Sequence, residues 1–277
     1  MNMILLLAVL TLGDILTFER SLKLKGCEEY EIEISLGAAK VKVLPGGHRK
    51  LEVSARYPEG ILDYFRAVPV EGNPCRITVE GKLRKGIKIE NLEKLTDKSV
   101  DAEIKLPTDV PVDLELNHGL AKATLDLGGL KLRGFKCYFG TGKTAIDFSS
   151  PNKDELREFE VDHGLATLKL LHVGNAHFKK LNLEHGLSRL YLDLSGKWKN
   201  DAEIDISSAL ATIEIVAPKD LGVYIKMKGI LSSKDMEGVE KTDDGYRTLN
   251  YDKAKHRVTI EIEGALNLVD FRIEGSN

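Results

Sequence analysis

Leu181-Asn182-Leu183-Glu184-His185-Gly186-Leu187-Ser188-Arg189-Leu190-Tyr191-Leu192-Asp193-Leu194 is the stretch that decides the fold. Apolar and polar residues alternate on both sides of His185-Gly186, which is the period-two signature of half-buried strands. Near copies centre on Leu116-Asn117-His118-Gly119-Leu120, Cys137-Tyr138-Phe139-Gly140-Thr141, Val161-Asp162-His163-Gly164-Leu165 and Ile206-Ser207-Ser208-Ala209-Leu210. Their hinge positions, 119, 140, 164, 186 and 209, are 21, 24, 22 and 23 residues apart, and the same hinge stands at Gly37 and Ala265. A repeat of roughly 22 residues is the mark of stacked units.

The pattern predicts an all-β, single-domain β-solenoid or β-roll, each rung being two short strands joined at a small residue. In the 181–194 unit the expected inward set is Leu183, Leu187, Leu190 and Leu192, with Arg189, Tyr191 and Asp193 outward. Burying four leucines returns less free energy than ordering the unit costs, so the rungs must share one apolar column and one backbone ladder. The hinge is expected to be small because the chain reverses there and glycine takes positive φ freely.

Around this repeat the chain divides as follows. Met3 to Leu10 is an apolar run too short to span a bilayer. It reads as the core of a signal peptide covering residues 1–13, although no Lys or Arg precedes it. Residues 14–277 read as one β-solenoid domain. Within it, 14–100 is a less regular N-terminal part, 101–229 holds the regular rungs, 230–256 is a surface loop and 257–277 is a closing strand. In the irregular part Tyr57 to Ala67 is expected to hold a helical turn after Pro58, and Ile87 to Leu95 fits neither period.

Composition narrows the function classes. The 277 residues are 42% hydrophobic and 30% charged with a net charge of -3, a globular rather than a disordered balance. Lys and Arg alternate with Asp and Glu, so there is no basic patch for nucleic acid. Cys27, Cys75 and Cys137 form no C-x-x-C pair, which excludes a zinc ribbon or a dithiol redox motif. Cys27 and Cys75 can pair in an exported chain, but the odd count fits buried free thiols at least as well.

The run from Leu181 through Ala265 resembles the toast-rack and putative-adhesin group of bacterial envelope proteins, whose relatives include the C-terminal parts of cell-envelope stress regulators. The resemblance rests on the repeated Leu-Gly/Ala hinges, Leu192-Asp193-Leu194-Ser195-Gly196-Lys197-Trp198, Pro218-Lys219-Asp220-Leu221-Gly222-Val223, and Asp244-Gly245-Tyr246 ahead of Ile260-Glu261-Ile262-Glu263-Gly264-Ala265. Phe18-Glu19-Arg20-Ser21 and Ile34-Ser35-Leu36-Gly37-Ala38 extend it toward the N-terminus. Ala209 and Ala265 depart from it, standing where the group usually has glycine. The resemblance implies a solenoidal all-β fold and an extracytoplasmic adhesive or scaffolding role. It carries over no catalytic residue.

No catalytic or cofactor constellation emerges. Phe139-Gly140-Thr141-Gly142-Lys143-Thr144 lacks the first phosphate-loop glycine, Cys137 standing in its place, and a strand rather than a helix follows it. Asp154-Glu155 and Glu158-Glu160 alternate with cations along a wet face, unlike a glycosidase pair across a cleft. Asp243-Asp244-Gly245 lacks the spaced oxygen ligands and distal Glu of a calcium loop and reads as a turn. His118, His163 and His185 recur at one place in the repeat, which sets His163 and His185 on adjacent rungs. These two are the only metal-ligand candidates, and a closed zinc site needs more ligands than two.

The expectation is therefore a non-catalytic exported protein, without cofactor or membrane span, acting in cell-envelope adhesion or scaffolding through exposed sheet faces. An envelope protein or a glycan would be its partner. The alternatives are a sensor or regulatory protein-binding domain, and a carbohydrate-active solenoid enzyme.

Overall fold

The computed structural model describes residues 15–85 and 99–274. The candidate signal at residues 1–13 and the Ile87 to Leu95 segment lie outside them. The chain is all-β, with strands β1 (Ile15–Lys23), β2 (Tyr30–Pro45), β3 (Lys50–Pro58), β4 (Leu62–Val70), β5 (Asn73–Leu83), β6 (Val100–Leu106), β7 (Val112–Asp126) and β8 (Leu132–Asp147). After these come β9 (Glu158–Leu171), β10 (Lys180–Asp193), β11 (Ala202–Ala217), β12 (Gly222–Met236), β13 (Val239–Lys241), β14 (Gly245–Thr248) and β15 (Arg257–Ile273). Two single turns of 3-10 helix, at Val173–Asn175 and Tyr251–Lys253, are the helical elements described.

The central ladder runs β2-β7-β8-β9-β10-β11-β15-β12, every neighbour parallel. It is registered hinge on hinge. His118 of β7 pairs with Phe139, Phe139 with His163, His163 with His185, His185 with Ser208, and Ser208 with Gly264. The repeat read from the sequence is thus the repeat of the sheet.

Three details differ from the sequence expectation. Each of these rungs is one continuous strand of 14 to 17 residues that bends at its hinge, not two strands separated by a reversal. The hinge glycines at 37, 119, 140, 164 and 186 all lie outside the positive-φ region. They are small because the backbones approach closely: a Cβ on Gly140, Gly164 or Gly186 would lie 2.8, 2.7 or 2.9 Å from the carbonyl oxygen of the preceding hinge glycine.

The bend also shifts the alternation by one residue. Leu181, Leu183 and His185 point inward before it, while Ser188, Leu190, Leu192 and Leu194 do so after it. Gly186 and Leu187 both fall on the outside of the corner. Leu187 is 51% exposed and does not belong to the inward set.

The irregular ends are antiparallel caps. β2 pairs through its first half with β5 and through its second half with β6, so that one rung alone is made of two strands. β4 closes on β5, and β3 and then β1 close on β6. The expected helical turn in Tyr57 to Ala67 is instead the β3–β4 turn and the start of β4, where Leu62, Phe65 and Ala67 alternate into the core. Phe65 packs on Phe18 and Tyr57.

At the far end, residues 230–256 are not a loop. They hold the remainder of β12 and a β13–β14 hairpin whose second strand pairs antiparallel with β12. β15 does not close the stack, because it inserts between β11 and β12. β5 and β6 with their antiparallel partners cover the β2 end of the ladder, where a bare parallel edge would expose unpaired backbone groups, while at the other end β14 pairs with Tyr224 to Lys226 of β12.

Inside, Phe135, Phe148, Phe159 and Phe178 are buried and packed ring on ring, continuing to Trp198. Buried asparagines tie the turns between rungs. Asn152 accepts from the Leu132 amide at 2.9 Å and donates to the Leu132 carbonyl at 2.8 Å. Asn175 donates to the Phe148 carbonyl at 2.8 Å and accepts from the Lys197 amide at 2.9 Å. Cys27 and Cys75 form a disulfide, correcting the free-thiol expectation, and Cys137 is a buried thiol. The parallel pairing of β2 with β5, Glu31 opposite Arg76, brings the two distant cysteines together, which spacing alone does not reveal.

Candidate functional site at the hinge seam

The hinges of successive rungs line up as a seam along the stack, with one column of side chains inside it and three outside. The inside column is Leu36, His118, Phe139, His163, His185 and Ser208. His118 and Phe139 stack at 5.3 Å between ring centroids, Phe139 and His163 at 4.9 Å, and His163 and His185 at 4.0 Å. Parallel pairing on a spacing of about 4.8 Å puts like side chains in contact, so a repeated His becomes a ladder of rings.

Both ring nitrogens of His118, His163 and His185 are buried and have no hydrogen-bond partner among the described residues. Burial disfavours the charged imidazolium. It pushes His118 and His163 down to about 4, and His185 to about 3 with the neighbouring His163 adding a smaller push. The rings are therefore neutral at physiological pH. His172, at the far end of β9, behaves oppositely: its Nδ1 lies 2.7 Å from an Asp147 oxygen, and that hydrogen bond raises it.

The structure brings His163 and His185 together as the repeat requires. Among the described residues no group of three or more His, Cys, Asp or Glu side chains converges on them or elsewhere. Phe139 to Thr144, the phosphate-loop look-alike, lies wholly within β8. Asp243 and Asp244 occupy the bend between β13 and β14, where Asp244 bonds Tyr224 and pairs with Lys226.

Outside the seam, the hinge glycines form a shallow groove of about 510 Å³ lined by Gly37, Gly119, Gly140 and Gly164, with Asn117, Tyr138 and Asp162 along one bank. Its continuation, about 400 Å³, is lined by Asp162, Glu184, Ser207 and Glu263. The opposite bank is a ridge of leucines in register: Leu165 (55% exposed), Leu187 (51%), Leu210 (46%) and Leu266 (46%). Beyond the ridge the outward column is Lys122, Lys143, Thr167, Arg189, Thr212 and Leu268, the last 55% exposed.

Sequence reasoning missed this ridge. The signal was present, since a leucine follows the small hinge residue at 165, 187, 210 and 266. Strict alternation assigned Leu187 to the core only because the extra residue at the bend was not counted. Scattered exposed leucines need no explanation, but a registered row of four rimmed by polar columns marks a contact surface.

No helix among the described residues is long and apolar enough to cross a membrane. The sequence profile of the N-terminal domain of toast_rack, DUF2154, matches residues 13–171. No curated protein matches the chain significantly. Among solved structures, the chain is similar to a "putative cell adhesion protein" from Clostridium sporogenes ATCC 15579, at 17% identity and a TM-score of 0.48, covering 93% of this chain and 100% of that one. It is also similar to a "putative adhesin" from Bacteroides fragilis NCTC 9343, at 11% identity, a TM-score of 0.37 and coverage of 92% and 96%. A "putative lipid binding protein" from Parabacteroides distasonis ATCC 8503 has 11% identity, a TM-score of 0.41 and the same coverage.

Proposed function

The chain belongs to the toast-rack family, and from that premise we propose that it is a non-catalytic β-solenoid acting outside the cytoplasm in cell-envelope adhesion or scaffolding. The observation that carries this reading is the pair of long, wet, rung-regular faces that meet at the seam. The face before the hinge carries Glu115, Glu160, Asp162, Glu184, Asp205, Glu261 and Glu263. The face after it is mixed in charge, with Lys122, Lys143, Lys169 and Arg189 near the hinge and Asp126, Asp147, Asp193, Glu214 and Asp270 among and beyond them, together with Tyr191. Such faces bind extended partners through many weak, repeated contacts.

The Cys27–Cys75 disulfide favours an oxidising compartment. The reading assigns the partner as an envelope protein or glycan and the buried histidines to the core rather than to chemistry. Cell fractionation with thiol alkylation tests it. The expected result is protein in the envelope or exported fraction with Cys27 and Cys75 protected from alkylation until reduced. Cytosolic protein with both thiols free would overturn it.

A further inference from the structure

The seam is self-complementary about its bend, and in β10 its two flanks carry opposite charge, Glu184 on one side and Arg189 on the other. The order across the seam is Glu184, Gly186, Leu187 and Arg189 in β10, Asp162, Gly164, Leu165 and Thr167 in β9, Ser207, Ala209, Leu210 and Thr212 in β11, and Glu263, Ala265, Leu266 and Leu268 in β15. Glu184 and Arg189 are exposed and form no ion pair among the described residues. Both lie two residues from the bend pair Gly186-Leu187, on opposite sides of it.

Consider a second copy laid on this seam with a two-fold axis parallel to the stacking direction. The rotation exchanges the two flanks and keeps each rung opposite its own copy. Leu165, Leu187, Leu210 and Leu266 of each chain then lie over the small hinge residues Gly164, Gly186, Ala209 and Ala265 of the other, and Glu184 of each meets Arg189 of the other. A two-fold axis across the rungs would instead set acid against acid and ridge against ridge, which like-charge repulsion disfavours. The in-register rungs match the partner's spacing without adjustment, since both copies share the same repeat.

We infer that the seam is an isologous interface on which a second copy of this chain docks, burying Leu165, Leu187, Leu210 and Leu266. Packing of the leucines over the small hinge residues supplies the apolar core, and the Glu184–Arg189 pair supplies the choice of orientation. The inference stands on this surface alone and is independent of compartment or of any further envelope partner, so its failure leaves the adhesive reading to its own test.

Sedimentation analysis of the purified chain tests it. The expected result is a dimer at concentrations of about 10 μM, a usual range for modest interfaces. Leu187→Asp is expected to give a monomer with unchanged circular dichroism, because the residue is half exposed and its loss opens no cavity. Glu184→Arg and Arg189→Glu should each weaken the dimer by roughly tenfold, and the two together on one chain should restore it, since the pair is then reversed in both halves. A wild-type monomer up to about 100 μM, a Leu187→Asp variant that stays dimeric, or a double charge reversal no tighter than the single ones would overturn the inference.

Discussion

A Cβ on Gly164 would lie 2.7 Å from the carbonyl oxygen of Gly140. The obstacle is backbone held by the ladder, so neither partner can step aside without parting two rungs. Gly164→Ala is therefore expected to lower stability by roughly 1–3 kcal/mol through overpacking, although alanine is normally the better residue in terms of chain entropy. Leu187→Ala, one rung on and outward, should cost under about 0.5 kcal/mol when both proteins are compared as monomers at high dilution. Urea unfolding of the two variants checks the contrast, and equal midpoints would contradict the close-approach explanation of the hinge.

The histidine column makes stability depend on pH. The folded values of His118, His163 and His185 lie at about 4, 4 and 3, below the unfolded value of about 6.5. Between those limits the unfolded chain binds more protons. Stability is thus full above pH 6.5 and falls as the pH drops toward the folded values. At pH 5 each buried ring should cost on the order of 2 kcal/mol. His172, raised by Asp147, acts in the opposite direction, but it is nearly half exposed and its pairing is screened. Thermal unfolding at pH 7.5 and pH 5 should show a clear drop for wild type and a smaller one for His185→Gln. Identical drops in the two proteins would contradict the account.

Removing the disulfide should be felt at the N-terminal cap. Cys27 and Cys75 are 48 residues apart in sequence, and closing a loop of that length stabilises by roughly 4 kcal/mol in the chain-entropy view. Cys27→Ser/Cys75→Ser is expected to lower the urea midpoint without changing the fold. Proteolysis should then cut first in β1 to β5, the elements the bridge ties together. First cuts within β8 to β10 would mean that the cap does not unfold separately.

The asparagines at the turns between rungs are structural rather than binding residues. Asn175 is buried and serves the Phe148 carbonyl and the Lys197 amide together. Asn175→Leu leaves both backbone groups unpaired and should cost about 2–4 kcal/mol. A comparable loss is not expected for Asn117→Leu, whose side chain bonds Glu115 on the wet face. Melting temperatures of the two variants separate these cases.

Much of this was legible in the residues. The spacing of Gly119, Gly140, Gly164 and Gly186 gives the rung length, and the placement of His163 and His185 gives their adjacency, because parallel in-register pairing converts sequence period directly into contact. What was not legible depends on three-dimensional facts that period alone does not encode. Leu187 faces water because the bend uses an extra residue. Cys27 meets Cys75 only because β5 returns to lie parallel beside the start of β2. β15 enters between β11 and β12, an order in space that chain order does not dictate.

The hinge-on-hinge register sets both the inner histidine column and the outer seam, and a crosslink between neighbouring rungs reads it directly. Arg189 and Thr167 are paired across β10 and β9, and both side chains point outward. In a chain carrying Thr167→Cys and Arg189→Cys, mild oxidation should form an intramolecular disulfide, since registered neighbours fall within disulfide reach. Thr167→Cys with Leu190→Cys should not crosslink, because Leu190 points into the core. A one-residue slip reverses faces. Crosslinking in the second pair and not in the first would contradict the register and the seam built on it.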